Sequence, residues 1–353
     1  MGDLTQDLIE QVNTAIAAAS ALTIAGGNSK RFIGRETQAD TTVDISGHSG
    51  IVSYEPVELV LTARAGTRIR EIQDTLAENG QVLAFEPPQL HDRATLGGTL
   101  ACNLSGPARP WSGSVRDAVL GTRLINGRGE HLRFGGQVMK NVAGYDASRA
   151  QAGALGTLGV ITEISLKVMP KPAAGLTLVQ EMSAADALLR MNKLAAQPRP
   201  LTGACWHDGK LYLRLAGTST AVKSTVRSWG GSLLEADENF WQSLREYQHP
   251  FFAVTDSLWR FSINSTAPHW RENDDWLIDW GGSQRWLRGD FDFTGLQTEA
   301  RQANGQVSLF RGGNRSGEVY QEVAPTIRLL HQRLKKAFDP QGIFNPGRLY
   351  SWM

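Results

Sequence analysis

The chain has 353 residues, of which 41% are hydrophobic and 20% charged, and its formal net charge is +1. Such a length favours two folded domains, because one domain typically holds roughly 100–200 residues. The balanced charge argues against nucleic acid as the main partner, which would require a basic surface. The two cysteines, Cys102 and Cys205, form no C-x-x-C pair, so we expect neither an iron–sulfur cluster nor any other metal site in this chain.

The N-terminal residues predict an amphipathic helix and not a secretion signal. The small apolar stretch 15–25 has the length of a signal-peptide core, but Asp3, Asp7 and Glu10 precede it and no lysine or arginine does. A signal peptide needs a positively charged start, and no run approaches the roughly 18 apolar residues that would span a bilayer. We therefore place a helix over 4–19 and expect a cytoplasmic protein without a direct membrane anchor.

Strand and helix signals alternate along the first half of the chain, which is typical of an α+β fold. Apolar runs and alternating patterns predict strands over 21–25, 59–65, 118–126, 130–134 and 160–169, with one helix over 67–79. The turn at 127–129 predicts that the third and fourth of these strands form a hairpin.

Changes in composition predict the domain limits. Residues 170–175 are rich in proline and are typical of a linker, and eight of the ten tryptophans then lie between Trp206 and Trp286. A last helix is predicted to begin at Pro325, with Lys335 on its basic side. The expected organisation is a first domain at 1–172, a second domain at 173–322 and a C-terminal segment at 323–353 that returns to the first domain.

Glycine is concentrated in three segments of the first domain. Of the 37 glycines, thirteen lie between Gly97 and Gly159, where average usage predicts far fewer. The glycine-rich segments cover 25–30, 94–117 and 153–159. Successive backbone N–H groups in such turns can bind a phosphate, although the chain has neither a G-x-G-x-x-G nor a Walker A motif. These segments therefore predict a phosphate-bearing cofactor that lies along the loops.

Four motifs occur in a fixed order: A-T-L-G-G-x-x-A-x-N from residue 94, S-G-S-V-R-D-x-V-L-G from 112, G-T-L-G-V-I-T-E from 156 and D-P-x-G-I-F-N-P-G-R from 339. Together they resemble the FAD-binding PCMH-type flavoproteins, which include vanillyl-alcohol-oxidase-like enzymes and D-lactate dehydrogenases. The stretches R-P-W-S-G-S-V-R-D, M-K-N-V-A-G-Y-D and I-D-W-G-G narrow the resemblance to the FAD-binding E subunits of bacterial glycolate oxidases. The resemblance implies an α+β fold with a two-subdomain PCMH-type FAD-binding domain and a smaller α+β cap domain.

The resemblance also implies which residues bind FAD. The first glycine turn and the second segment would cradle the pyrophosphate, residues near 112–117 would hold the ribityl or adenosine side, and Val160 and Ile161 would face the adenine. The predicted cofactor residues are Ala25, Gly26, Gly27, Asn28, Ser29, Lys30, Thr95, Gly97, Gly98, Asn103, Gly106, Ser112, Gly113, Ser114, Asp117, Gly156, Gly159, Val160 and Ile161. Asn28 stands where some relatives have a histidine that attaches the flavin, so we expect non-covalent FAD.

The sequence offers no clear catalytic base. Hydroxy-acid oxidation needs a group that accepts the hydroxyl proton, and the H-x-H cluster of related dehydrogenases is absent, because His207, His249 and His269 stand alone. By position between the second and third motifs, Lys140, Asn141 and Tyr145 are expected to line the flavin ring or the substrate cavity.

The function that the resemblance implies is the FAD-binding subunit of a multi-subunit glycolate oxidase that converts glycolate, a small 2-hydroxy acid, to glyoxylate. Its partners would be a second flavoprotein subunit and an iron–sulfur subunit, and these would mediate any peripheral association with the inner membrane. One alternative is a stand-alone flavoenzyme with substrate-binding cap arginines at Arg260, Arg285, Arg288, Arg311 and Arg315. Another is a structural subunit with a vestigial flavin site and a tryptophan-rich interface. A cell-wall reductase with a related FAD domain is disfavoured by the extent of the resemblance.

Overall fold

The fold is that of a computed structural model, which describes residues 2–136, 146–235, 237–253 and 256–353. The helices are α1 (Thr5–Ala18), α2 (Ile69–Glu78), α3 (Leu96–Cys102), α4 (Arg109–Ser112), α5 (Val115–Ala118), α6 (Ala184–Ala195), α7 (Ser219–Trp229), α8 (Asp237–Arg245), α9 (Phe293–Gln302) and α10 (Pro325–Phe338). The strands of the first half are β1 (Leu22–Ala25), β2 (Thr41–Asp44), β3 (Ile51–Glu55), β4 (Val60–Arg64), β5 (Gln81–Val82), β6 (Val119–Ile125), β7 (His131–Gly135), β8 (Val160–Lys167) and β9 (Met169–Pro170). The strands of the second half are β10 (Ala174–Glu181), β11 (Leu201–His207), β12 (Lys210–Gly217), β13 (Ser232–Leu233), β14 (Leu258–Ser262), β15 (Trp276–Asp279), β16 (Gln284–Arg288) and β17 (Gln306–Arg311).

The first half of the chain is organised around a five-stranded antiparallel sheet with the order β3-β4-β8-β6-β7. Four of the predicted strands, over 59–65, 118–126, 130–134 and 160–169, correspond to β4, β6, β7 and β8 of this sheet, and β6 and β7 form the predicted hairpin. The predicted strand over 21–25 is β1, which lies outside this sheet. α1 contributes Leu8 and Val12 to its core, and α2 contributes Ile69, Ile72 and Leu76. Burial of each such side chain stabilises the fold by about 1.5–3 kcal/mol. The helical spacing of these residues places them on one face of each helix, and burial of that face holds α1 and α2 against the sheet.

A short parallel pair, β1 and β2, lies beside this core and receives the end of the chain. The Leu22 N–H donates to the Ile343 carbonyl over 2.7 Å, and the Asn345 N–H donates to the Leu22 carbonyl over 2.8 Å. The C-terminal motif is therefore paired with the strand that leads into the first glycine turn.

The second half forms an eight-stranded sheet with the order β13-β10-β12-β11-β15-β16-β14-β17. Six of its tryptophans are buried, and they are Trp229, Trp241, Trp259, Trp276, Trp280 and Trp286. Five of these six tryptophans belong to the hydrophobic cores of this region, and the burial of all six contradicts their interpretation as an exposed interface.

Polar contacts join the two halves. The Trp280 indole donates to the Gly106 carbonyl over 3.0 Å, and Arg214 pairs with Glu86 over 2.9 Å. The Glu246 carboxylate, just after α8, accepts from the backbone N–H of Gln89 over 2.9 Å. These contacts place the end of α8 close to the second glycine-rich segment.

The last helix begins at Pro325, as predicted, and ends before Asp339. The placement of Lys335 on a basic outer side is wrong, because its side chain is buried. Lys335 can be buried because a carboxylate compensates its charge: its ammonium lies 2.7 Å from the Asp339 carboxylate.

Candidate cofactor site

A cavity of about 1220 Å³ lies between the first glycine turn, the start of α3 and the C-terminal segment. Its volume exceeds the roughly 300–1,000 Å³ of most small-molecule sites, which suits a dinucleotide. The predicted cofactor residues that line it are Ala25, Gly26, Gly27, Asn28, Ser29, Lys30, Thr95, Gly97, Gly98, Gly156, Gly159 and Ile161. The structure thus brings all three glycine-rich segments to one cavity.

The first glycine turn has no room for side chains at its first two positions. A Cβ added at Gly27 would lie 1.6 Å from the Arg93 carbonyl oxygen, and one at Gly26 would lie 2.7 Å from the Thr95 hydroxyl. Asn28 has a φ of 54°, in the left-handed region that asparagine tolerates better than most residues. The turn therefore presents backbone to the cavity, as close approach to a ligand requires.

The second segment packs against this turn through the start of α3. Thr95 caps the helix, and its hydroxyl accepts from the Gly98 N–H over 3.3 Å. A Cβ at Gly97 would lie 2.8 Å from the Ala65 side chain, so glycine here lets α3 pack directly on the residue after β4. The glycines of this motif thus serve both the packing of α3 and the cavity wall.

Asn345 ties the third segment to the first and was not among the predicted site residues. Its side-chain oxygen accepts from the Ile24 N–H over 3.0 Å, and its amide donates to the Leu155 carbonyl over 2.6 Å. A Cβ at Gly156, whose φ is 72°, would lie 2.6 Å from that amide. The motif F-N-P-G-R was visible in the sequence, but the contacts of its asparagine depend on the tertiary fold.

The charged residues that line the cavity are mostly basic. Arg315 donates to the Gly34 carbonyl, and Arg348 donates to the Arg31 and Arg35 carbonyls, so both guanidinium groups have partners in the fold. Lys30 differs, because its buried ammonium has no hydrogen-bond partner among the described residues. Burial lowers the pKa of Lys30 to about 8.

Several predicted cofactor residues do not line the cavity, namely Asn103, Gly106, Ser112, Gly113, Ser114, Asp117 and Val160. The Asp117 carboxylate accepts from the Ser114 N–H and hydroxyl, both over 2.8 Å, in a capping box at the start of α5. These hydrogen bonds give Ser114 and Asp117 a role in the local structure. Contact of the seven residues with FAD stays a prediction. Lys140, Asn141 and Tyr145 lie outside the described residues.

The interpretation of the cap histidines as isolated is wrong for two of them. The rings of His207 and His249 pack edge to face with centroids 5.1 Å apart, and His207 lies 3.7 Å from Asp275. Burial and the neighbouring His207 lower the pKa of His249 to about 4. Neither ring lines the cavity, and sequence spacing could not have shown a pair formed between β11 and a distant turn.

Of the five cap arginines, only Arg315 lines the cavity. Arg285 is fully buried and donates to the Pro268 carbonyl over 2.9 Å. Arg311 donates to the Phe252 carbonyl, and Arg288 pairs with Asp275, while the Arg260 guanidinium stacks 5.6 Å from the Phe310 ring centre. These contacts give Arg260, Arg285, Arg288 and Arg311 structural roles within the second half of the chain.

A buried acid that was not among the predicted site residues, Asp279, lies outside the lining of the cavity. Asp279 is fully buried at the end of β15, and burial raises its pKa to about 7. One carboxylate oxygen has no partner among the residues that the structure describes. The space beside it is only about 10 Å³, which is marginal even for one water. Asp279 therefore has an unusual proton affinity but no access for a substrate.

Two family models match the chain. A model described as "FAD binding domain" matches residues 4–135, which include the first two glycine-rich segments. A model described as "FAD linked oxidases, C-terminal domain" matches residues 312–349, which include Arg315, Asn345 and Arg348 of the cavity wall.

Comparison with curated proteins decides the family. The glycolate oxidase subunit GlcE of Escherichia coli is 48% identical over 349 residues, which cover 99% of this chain and 98% of that protein. The chain belongs to the GlcE family of glycolate oxidase subunits. A shorter match links this GlcE family member to the glycolate oxidase subunit GlcD of Bacillus subtilis, with 38% identity over 137 residues, 39% of this chain and 29% of that protein.

A solved structure shows the same fold at low identity. An alkyldihydroxyacetonephosphate synthase superposes with a TM-score of 0.66 and 14% identity, over 97% of this chain and 74% of that one. The predicted α+β PCMH-type fold, the flavoprotein family and FAD as the cofactor are thereby confirmed. As a member of a subunit family, the chain is part of a multi-subunit oxidoreductase. Among the described residues, none of the helices combines the length and the hydrophobicity that a bilayer-spanning segment needs.

Proposed function

We propose that this chain holds one non-covalently bound FAD within a glycolate oxidase that oxidises glycolate to glyoxylate and passes the electrons to partner subunits. The observation that carries the proposal is the convergence of three glycine-rich segments on one dinucleotide-sized cavity, in a chain 48% identical to a glycolate oxidase subunit. The first domain would be 1–172, the cap 173–322 and the returning segment 323–353.

The cavity fits FAD in shape and charge. At Gly26 and Gly27 a Cβ would collide with neighbouring atoms, so the backbone there can approach a pyrophosphate closely. The positive charge of Arg315, Arg348 and Lys30 surrounds the same space, and it compensates the phosphate charges without a lysine cluster. When bound, the flavin supplies a hydride acceptor for the carbon that bears the hydroxyl group.

Dependence on partners is supported by the residues of the cavity wall. In the described part of that wall the only carboxylate is Glu36, which is exposed to solvent, and no histidine or aspartate is present to accept the hydroxyl proton. Asp279 does not line the cavity. Both cysteines are buried or half-buried and far apart in sequence, so they supply no cluster for onward electron transfer. A second flavoprotein subunit and an iron–sulfur subunit would supply these functions, and they would also account for any attachment of this cytoplasmic subunit to the inner membrane.

The first experiment is to purify the chain and to measure flavin released by denaturation. We expect FAD in equimolar amount, released without proteolysis because no covalent bond holds it. A purified chain that carries no flavin, alone and in its complex, contradicts the proposal and favours a structural subunit with a vestigial site.

A second experiment separates a subunit from a stand-alone enzyme. Glycolate is added without oxygen to the chain alone and to the complex isolated through a tag on the chain, and bleaching of the flavin absorbance is recorded. We expect bleaching in the complex and none in the chain alone. Rapid bleaching of the isolated chain would establish independent catalysis and contradict the need for partners.

A further inference from the structure

Helix α10 has most of its surface in contact with solvent. Its buried or half-buried residues are His331, Leu334, Lys335 and Phe338. These positions follow the three- and four-residue spacing of one helix face. That face packs on the first half of the chain, where the rings of Phe338 and Phe134 have centres 5.7 Å apart. The first six residues of the helix are all exposed.

Large apolar side chains are concentrated on this exposed part. In the described chain eight large hydrophobic residues are exposed, and three of them lie close together in α10, namely Ile327 (42% exposed), Leu329 (46%) and Leu330 (53%). Single exposed apolar residues are normal, whereas a contiguous group marks a contact site. Ile327 precedes the half-buried His331 by four residues and Leu334 by seven, so it lies on the same face. The start of α10 therefore extends beyond the part of the protein that covers this face.

Basic side chains lie within the same surface. Arg333 follows Leu329 by four residues and Leu330 by three, so its side chain adjoins both. Lys336 lies about one turn further along the helix. Both cations are exposed, and neither has a hydrogen bond or an ion pair to another described residue through its side chain. Because α10 contains no acidic residue, no charge on the helix compensates them.

The C-terminal residues extend this surface. The Arg328 guanidinium lies 4.9 Å from the Trp352 ring centre, and the Trp352 ring stacks on Tyr350 with centres 4.8 Å apart. Arginine and tryptophan are enriched in protein–protein interfaces. The aromatic pair therefore adds a large and rigid contact area beside α10.

The position of the cations favours a protein surface over a lipid surface as the binding partner of α10. In a helix that lies on a bilayer, charged residues occupy the face opposite the apolar one. Here Arg333 lies between Leu329 and Leu330, where the hydrocarbon of a bilayer would leave its charge unsolvated. A second copy of the same face would bring cations against cations. The surface that complements α10 is therefore an apolar groove that contains carboxylates.

We propose that α10 is the helix by which this chain docks on another subunit of the oxidase, and that the partner presents an apolar groove lined with carboxylates. The chain belongs to a family of oxidase subunits, and the existence of the partner rests on the proposed function. Leu329 and Leu330 anchor the helix in the groove, as apolar residues do in helix-in-groove contacts. Arg333 and Lys336 pair with the carboxylates.

The first test measures the affinity of the full-length tagged chain for the partner subunits, which are identified by mass spectrometry. One double variant is Leu329→Ser with Leu330→Ser, and the other is Arg333→Glu with Lys336→Glu. The control is Leu189→Ser in α6, where the leucine is 73% exposed. We expect each double variant to weaken binding at least about tenfold, as loss of interface anchors does. Flavin content and the free energy of unfolding should stay at the wild-type values, since all these residues are on the surface.

The second test identifies the groups that lie against Lys336. A carbodiimide couples a lysine amine to a carboxylate in contact with it, and it does not couple an arginine. In the wild-type complex we expect Lys336 to be linked to an aspartate or glutamate of a partner subunit. Lys336→Arg should keep the partner and lose the link. Lys193, an exposed lysine of α6, is the control and should form no link to the partner.

Three results would overturn the inference. If the folded double variants keep their partners, α10 is not the docking surface. If Lys336 is linked only to another copy of this chain, the face joins two copies. If α10 variants abolish binding of the chain to phosphatidylglycerol vesicles while the complex stays intact, the helix serves a membrane. These results leave the proposed function intact, whereas a wild-type chain that recovers no other subunit contradicts both.

Discussion

Two buried lysines of this protein have opposite surroundings. Lys335 donates to the Thr157 and Phe344 carbonyls and to the Asp339 carboxylate, at 2.7, 2.8 and 2.7 Å. Lys30 is equally buried and has no such partner among the residues described. The fold thus satisfies all three ammonium donors where a lysine joins the C-terminal turn to the third glycine segment, and satisfies none where a lysine lines the cavity. Lys335 is therefore a cation that stabilises the fold, whereas Lys30 is a cation that faces the cavity without a hydrogen-bond partner of its own.

Replacement of Lys335 by methionine is expected to have the largest effect. The Asp339 carboxylate would lose its counter-charge while still buried, and breaking such a pair costs about 3–5 kcal/mol. The free energy of unfolding, measured with urea, should fall by that amount. Lys336→Met removes an exposed neighbour and should cost little. An unchanged free energy in Lys335→Met would mean that Asp339 gains water or another partner, and the contrast with Lys30 would then weaken.

Replacement of Lys30 by methionine should change the pH dependence of the flavin-free chain. Burial lowers the pKa of Lys30 from 10.5 to about 8, so the folded state binds this proton more weakly than the unfolded state. The unpaired charge therefore destabilises the fold below pH 8, and stability is regained as the pH rises from 8 to 10.5, by about 3 kcal/mol at most.

The measurement is the difference in free energy of unfolding between Lys30→Met and wild type at several pH values from 7 to 10. The Lys30→Met variant should have the larger free energy of unfolding at pH 7, and its difference from wild type should shrink as the pH rises. A constant difference would show that the ammonium is already paired or hydrated.

Replacement of Gly27 by alanine tests the cavity without removing a charge. The added Cβ would lie 1.6 Å from the Arg93 carbonyl oxygen, and such overpacking typically costs about 1–3 kcal/mol. We expect reduced stability together with loss of flavin, measured by denaturation and by flavin content. Gly317→Ala, where nothing lies within 4 Å of the new Cβ, should leave both unchanged. Normal flavin content in Gly27→Ala would place the cofactor elsewhere.

Arg214 is a cation whose surroundings are intermediate between those of Lys335 and Lys30, and its replacement is expected to change the free energy of unfolding least. It pairs with Glu86 over 2.9 Å, donates to the Thr202 carbonyl over 2.9 Å and lies 4.8 Å from the Trp241 ring centre. The ion pair contributes at most about 1 kcal/mol and the hydrogen bond about as much. Arg214→Met should therefore lower the free energy of unfolding by about 1–2 kcal/mol, and the part that comes from the ion pair should shrink in high salt, where charges are screened. Arg214→Lys keeps the charge and should lose less. A loss as large as that of Lys335→Met would mean that burial does not decide these energies.

The sequence was sufficient for the features that depend on local pattern. Apolar periodicity located α1, α2 and four of the five strands of the first sheet, and Pro325 marked the start of α10, because these signals reside in neighbouring residues. β3 was not predicted. The glycine-rich segments likewise predicted which loops form the cavity. The tryptophans were harder to interpret, since the same residue type serves cores and interfaces.

Features that depend on contacts distant in sequence were not predictable. Asn345 joins Ile24 and Leu155 across more than half of the chain, and His207 meets His249 only because a turn folds against β11. The burial of Lys30 and of Lys335 also has no local signal, because lysine in a turn or on a helix normally faces solvent. Ser114 and Asp117 illustrate the opposite case. The family resemblance assigns them to the cofactor, but in the structure they form a capping box with each other.

The pairing of the C-terminal segment with β1 bears on the order of events during synthesis. The ribosome makes the first sheet and all three glycine-rich segments early, and such a unit can begin to fold before the rest of the chain exists. Its cavity nevertheless lacks Asn345 and Arg348 until the whole second sheet has been translated. Tight binding of flavin would therefore require that residues through Arg348 have been translated and have folded back beside β1, which links cofactor loading to the synthesis of the second sheet.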